Sequence, residues 1–292
     1  MSKTLCTFSG KFGDILWSLP TVRELSRKHN EKVDMGIMPS YRSLLPLLQQ
    51  QEYIDTAFVN EPWACEGSPY GDQPAIPQND EALRYQYENV YHLTYRHHPA
   101  PNQPLVDFIA SQQGIVLPEP VCPFISTGAA IFPAHANEAD NQYWDLILTK
   151  AGRWKNKPED FIAYSFNELY ADQKGAFLNT LRSLLPDEQF IETNKLSWRM
   201  ATFVIKSAKA FVGCRSSQYV LASGVGQANI FLYEPHPARH HQGQFGSTFS
   251  NTHWPEASPV YGTPPEEAAK QCALFFGQHG LNRKLEKESV CQ

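Results

Sequence analysis

The chain has no CxxC pair. Its six cysteines (Cys6, Cys65, Cys122, Cys214, Cys272 and Cys291) are scattered, which suits reduced thiols better than a disulfide framework or a thiolate zinc site. It also has no long apolar run. The longest, such as ATFVI and NIFLY, fall far short of the ~20 residues a membrane-spanning helix needs. The opening MSKTLCTF holds no leader-like apolar stretch, so a cytoplasmic protein without a transmembrane segment is expected. An excess of positive charge is missing too. Lys and Arg number 25 against 30 Asp and Glu, a net charge of −5, so composition gives no general affinity for nucleic acid. There is no GxxxxGK[ST] loop and no GxGxxG turn, which argues against a conventional nucleotide triphosphatase or NAD enzyme. The histidines, including His236, His240 and His241 in EPHPARHHQG, fall in no HExxH or HxH…E spacing. No metal site and no cofactor are therefore expected.

What is present reads as a globular α/β protein. Hydrophobic residues make up 42% and charged residues 19%, and 292 residues suffice for two domains with separate cores. The first third alternates strand and helix signals. TLCTF is a strand, Asp14 to about Lys28 a helix, KVDMGIM a strand, Tyr41 to Gln50 a helix and TAFV a strand. Pro20 removes one hydrogen bond from the first helix, so that helix either kinks there or begins near Ser18. This order implies a parallel sheet with right-handed crossovers.

Residues 60–88, rich in Pro, Gly and Asp, read as a long loop before the strand NVYHL and a helix over 105–113. A second set starts near residue 160: strand DFIAYSF, helix 172–185, strand QFIET and a helix in SWRMATFVIKSA capped by Ser197. Strand AFVGC, helix SSQYVLASGVG, strand ANIFLYE and a last helix over 264–278 complete it. The expected organisation is an N-terminal Rossmann-like domain over 1–125, a linker over 126–159, a second Rossmann-like domain over 160–263 and a C-terminal helix and tail over 264–292. Two such domains would face a central cleft, with ligands at the carboxyl ends of the strands.

Besides the Pro-rich loop over 60–88, four segments follow a strand and sit where chemistry would occur. The first is GKFGD, residues 10–14. By residue type alone Asp14 could be the N-cap of the first helix, with Gly13 permitting the turn. Lys11 beside it could bind a phosphate or an anionic acceptor. In the second half the corresponding segments carry Ser165 and Asn167, Arg215 to Gln218, and Glu234 with His236.

GDILWSLPTVREL, followed by KVDMGIMPSYRSLLPLLQQQEYIDTAFV, resembles the opening of glycosyltransferase family nine, the ADP-heptose:lipopolysaccharide heptosyltransferases. SWRMATFVIKSAKAFVGCRSSQYVLASGVGQANIFLYEP has the cadence of that family's second half. The resemblance implies a GT-B architecture, with an acceptor on the N-terminal domain and a sugar nucleotide on the C-terminal one. It also implies inverting, metal-independent transfer to a hydroxyl of a glycan or other acceptor, the nucleoside diphosphate sugar being a co-substrate. Asp14 then matches the base, with Lys11 and Gly13 on the acceptor side. Ser165, Asn167, Trp198, Met200, Arg215, Ser216, Ser217, Gln218, Glu234 and His236 fall on the donor side.

The donor loop departs from the family's Asp-Ser/Thr-Gly-x-x-His. Arg215 replaces the acid, Ser217 the glycine and Val220 the histidine. An arginine and two serines opening a helix suit a diphosphate. Two other readings stay open at this point: a phage-type glycosyltransferase acting on a modified base in DNA, and a non-catalytic module that binds sugar nucleotides or glycans.

Overall fold

The computed structural model describes residues 3–60, 77–93, 105–118, 124–127, 161–166, 171–235 and 257–278. They belong to two compact units, each built on its own parallel sheet.

In the first unit β1 (Thr4–Phe8), β2 (Val33–Ile37), β3 (Ile54–Val59) and β4 (Asn89–Leu93) lie in the order β3-β2-β1-β4. All residues of β1 and β2 are buried. A strand covered on both faces reads as an unbroken apolar run, and TLCTF and VDMGI do so apart from Asp34 and the threonines. Asp34 is satisfied locally, accepting from the Tyr87 hydroxyl at 2.9 Å and the Thr56 amide at 3.1 Å.

Helix α1 (Phe12–His29) is continuous through Pro20, so it begins six residues before Ser18. Pro20 leaves the Leu16 carbonyl without its usual amide partner. Burial of Ile15, Leu16, Leu19, Val22 and Leu25, each worth about 1.5–3 kcal/mol, outweighs that loss. Asn30, at φ 52°, ends the helix in the left-handed conformation.

The helix expected over 41–50 is instead a 3₁₀ stretch (Pro39–Leu44) leading into α2 (Leu45–Leu48). Pro39 and Pro46 lack amide hydrogens and open the two pieces. The stretch read as one loop over 60–88 contains α3 (Asp80–Gln86), and α4 (Leu105–Ser111) packs against α1.

The second unit has β5 (Phe161–Ser165), β6 (Gln189–Glu192), β7 (Ala210–Gly213), β8 (Ile230–Glu234) and β9 (Ala257–Tyr261) in the order β6-β5-β7-β8-β9. Among the described residues its helices are α5 (Ala171–Leu184), α6 (Trp198–Ser207), α7 (Ser217–Gly224) and α8 (Pro265–Gln278). α5 and α8 pack together over one face, where Phe177 stacks on Tyr233 with centroids 4.7 Å apart. Ala268, Ala269, Cys272 and Phe276 of α8 join that same core, so the last helix is part of the unit. The edge strand β9 was not anticipated from sequence. Pro259 is tolerated there because an edge strand leaves one side of its backbone unpaired.

Each sheet reverses its winding once, between β1 and β4 in the first unit and between β5 and β7 in the second. Crevices at the carboxyl ends of such strand pairs are where ligands bind in open α/β sheets.

Candidate active site

The first reversal carries the turn Ser9–Gly10–Lys11 into α1. A Cβ on Gly10 would run into the Phe8 ring and lie 2.7 Å from the Asp14 Cβ, so any larger residue must displace those side chains. Gly13 is already inside α1. The N-cap is Lys11, and Asp14 stands at the third helical position. The Lys11 backbone N–H donates to Asp14 Oδ2 at 2.9 Å, which fixes the carboxylate at the mouth of the helix. Phe12 packs edge-on against Tyr41, centroids 4.9 Å apart, from the turn after β2. Burial, and after it the Asp14 carboxylate, push the Tyr41 phenol above its ordinary pKa, so the two side chains share one electrostatic neighbourhood. Lys11 is exposed and Asp14 half-buried.

Beside this turn runs a part-buried polar chain that no motif announced. Thr7 Oγ1 lies 2.7 Å from His92 Nδ1, and His92 Nε2 lies 2.7 Å from Asp80 Oδ1. Arg84 Nε donates to the other Asp80 oxygen at 2.9 Å. Burial lowers the pKa of His92, against the pull of Asp80, which favours the neutral ring. Its hydrogen then sits on Nε2 toward Asp80, and Nδ1 accepts from Thr7. Burial works against ionisation of Asp80, but Arg84 and His92 together hold its pKa below the usual value.

The second reversal is tied by more hydrogen bonds between neighbouring strand ends. A Cβ on Gly213 would lie 2.6 Å from the Ser165 carbonyl oxygen and 2.9 Å from Phe211 Cε1. The Cys214 amide donates to that same carbonyl at 3.3 Å. The Ser165 hydroxyl donates to Asn194 Oδ1, and the Asn194 amide donates to the Phe166 carbonyl, both at 2.5 Å. Arg215 follows, half-buried, and its backbone N–H donates to the buried carboxylate of Glu234 at the end of β8. Ser216 is the N-cap of α7 and Ser217 its first residue. The Ser216 hydroxyl and the Gln218 side-chain oxygen are buried without hydrogen-bond partners.

Topology brings Ser165, Trp198, Arg215, Ser216, Ser217, Gln218 and Glu234 to the carboxyl edge of one sheet. Trp198 is the half-buried first residue of α6, behind the Ser197 N-cap. Met200 is fully buried, and its amide donates to Ser197 Oγ at 3.3 Å, so its side chain packs the interior. Asn167 and His236 lie outside the described residues, as does most of the expected 126–159 linker.

Sequence reasoning missed Lys174 on α5. It is 4% exposed, its amine lies 6.0 Å from the Phe166 ring centroid, and its charge is felt by Glu234 and Cys214. A lysine buried this deeply is uncommon. Among the described residues no group of three or more His, Cys, Asp or Glu side chains is placed to hold a metal ion. No described helix is long and apolar enough to cross a membrane.

No protein-family model matches the chain, and no curated protein matches its sequence. Solved structures do match. A glycosyl transferase of family 9 from Veillonella parvula superposes with a TM-score of 0.59 at 9% identity, over 93% of this chain and 97% of that one. The fold is that of the GT-B glycosyltransferases. The E. coli heptosyltransferase WaaC, solved with ADP, gives a TM-score of 0.52 at 9% identity, over 95% of this chain and 100% of that one. E. coli ADP-heptose LPS heptosyltransferase II gives 0.51 at 11%, over 95% and 99%. The GT-B expectation drawn from the two sequence segments therefore holds over nearly the whole chain.

Proposed function

We propose that the protein is an inverting, metal-independent glycosyltransferase that moves a sugar from a nucleoside diphosphate donor to an acceptor hydroxyl. The observation that carries this reading is the pairing of Asp14 with one winding reversal and the Arg215–Ser217 helix start with the other, within a GT-B fold.

In this reading Asp14 takes the proton from the acceptor hydroxyl as its oxygen attacks the anomeric carbon. The new C–O bond forms on the face opposite the diphosphate. The old C–O bond breaks, and its electron pair leaves with the nucleoside diphosphate. A carboxylate has two oxygens with about four acceptor positions, so the bond from the Lys11 amide orients Asp14 without exhausting it. The leaving diphosphate gains negative charge on its bridging oxygen. The backbone amides at the start of α7, Ser216, Ser217 and the Arg215 guanidinium are fixed donors suited to that charge. Such donors do the work a divalent cation does elsewhere, which supports a metal-independent step. Lys11, exposed beside Asp14, suits an acceptor carrying negative charge.

A panel of nucleoside diphosphates and their sugars tests the reading. A cognate nucleotide present at about 100 times its Kd stabilises the protein by about 2.7 kcal/mol, visible as a raised Tm. Its sugar form should then release free nucleoside diphosphate when acceptor glycans are added. Binding without release for every donor and acceptor tried would make the protein a sugar-nucleotide-binding module instead.

A further inference from the structure

The mechanism above uses Asp14, but a second side chain is brought to the same helix start. β2 lies next to β1 in the first sheet, and the turn that follows it carries Tyr41. Pro39 opens a short 3₁₀ stretch there, and the Tyr41 amide donates to the Met38 carbonyl at 3.0 Å. At φ −113° and ψ 15° Tyr41 departs from the helical dihedrals, so the chain bends at this residue. Its ring meets Phe12, the first residue of α1, edge-on at 4.9 Å with 79° between the planes. Phe12 belongs to the same helical turn as Asp14, whose carboxylate is held by the Lys11 amide at 2.9 Å. A carboxylate and a phenol, each anchored, thus share the carboxyl edge of this sheet.

The two groups offer opposite things to a ligand. An ionised carboxylate only accepts hydrogen bonds, whereas a phenol can donate one. Burial, and after it the Asp14 charge, raise the pKa of Tyr41, so its hydroxyl keeps its hydrogen at neutral pH. Among the described residues no group hydrogen-bonds to that hydroxyl, and Tyr41 is only half-buried, which leaves it within reach of a ligand. A molecule that meets both groups gives a hydrogen to Asp14 and accepts one from Tyr41. A donor on the attacking oxygen itself would occupy the lone pair that has to form the new C–O bond. The oxygen suited to Tyr41 is therefore a second one, beside the oxygen that reacts.

We infer that Tyr41 is an acceptor-binding residue, and that the acceptor is a sugar whose reacting hydroxyl has a second oxygen on the adjacent carbon. This rests on the reading of Asp14 as the base, and narrows the acceptor from any hydroxyl to a vicinal diol. Glycans carry that pattern, and a lone hydroxymethyl group on a nucleobase does not. Two points of attachment fix the direction of attack, which one hydrogen bond to a carboxylate leaves free.

Transfer from the sugar nucleotide that the panel selects tests this with the methyl glycosides of glucose, galactose and mannose as acceptors. Their monodeoxy analogues and an oligonucleotide carrying hydroxymethylcytosine are run beside them. Tyr41→Phe keeps the ring against Phe12 and removes only the hydroxyl. It should raise the acceptor KM by about three- to tenfold, change kcat by less than about twofold and leave the donor KM unchanged. The wild-type protein should show the same rise with the analogue that lacks the adjacent hydroxyl, and Tyr41→Phe should add nothing to it. An unchanged acceptor KM in Tyr41→Phe, a loss equally large on the deoxy analogue, or transfer to hydroxymethylcytosine alone would overturn the role of Tyr41 and leave Asp14 standing. Full turnover in Asp14→Asn, or no release with any acceptor, would overturn the transferase reading itself.

Discussion

The two winding reversals solve one local problem, closing a strand-to-helix turn around a glycine, but they use their carboxylates differently. At the first, Asp14 is half-buried, sits on its own helix and is held by one backbone amide of the same turn. At the second, Glu234 is 6% exposed and comes from a neighbouring strand to hold the amide of Arg215. The first carboxylate is oriented yet accessible, as a group that must receive a proton has to be. The second is built into the framework beneath a cationic turn. Under the proposed function, position in the fold, and not residue type, separates the carboxylate that reacts from the one that positions.

Four substitutions or conditions press on that difference. Gly213→Ala should have the largest effect on stability. Its Cβ meets a backbone carbonyl at 2.6 Å, which cannot swing aside, so a loss of about 3 kcal/mol in urea unfolding is expected, together with loss of nucleotide binding. Glu234→Gln should cost about 2 kcal/mol, because the amide still accepts from Arg215 but the buried negative charge beside Lys174 is gone. An unchanged midpoint would mean that Glu234 is no more structural than Asp14. Gly10→Ala should cost about 1 to 2 kcal/mol. The obstructing atoms there are the Phe8 ring and the Asp14 side chain, which can shift, and shifting Asp14 should lower turnover more than stability.

The smallest effect concerns pH. The pKa of His92 is lower in the folded chain than the ~6.5 of the free side chain, so its contribution is fully present above that value. It is lost as pH falls through the folded-state value. Asp80, also lowered, holds its contribution above ~3.9 and loses it further down the acid range. Urea midpoints should therefore decline from pH 7 toward about pH 5, and less steeply in His92→Gln. A flat profile would contradict a neutral, half-buried His92.

Much of this was legible in the sequence because it is local. NVYHL alternates with turn signals on both sides and is β4 at the expected residues, and Ser197 before an amphipathic run is the N-cap of α6. GKFGD and GCRSSQ could be placed at strand ends because the apolar runs before them are unbroken. What stayed hidden depends on the assembled fold. α3 has seven residues and buries only Leu83, too little for a helical period to show within a Pro- and Gly-rich stretch. Pro20 suggested a break, yet burial on both sides carries α1 through it. Lys174 looks like any lysine on a solvated helix face, and its burial emerges only once α5 is packed into the unit. Thr7, Asp80 and His92 are up to 85 residues apart and meet through β1–β4 pairing.

The central claim is that Asp14 is the base for glycosyl transfer, and one comparison tests it most directly. Wild-type protein and Asp14→Asn are assayed side by side for nucleoside diphosphate release from the sugar nucleotide that the panel selects. Asparagine still accepts the Lys11 amide, so fold and nucleotide affinity should be kept. Turnover should fall by about 10²- to 10⁴-fold, the range for losing a general base. An Asp14→Asn protein that turns over at the wild-type rate would contradict the account.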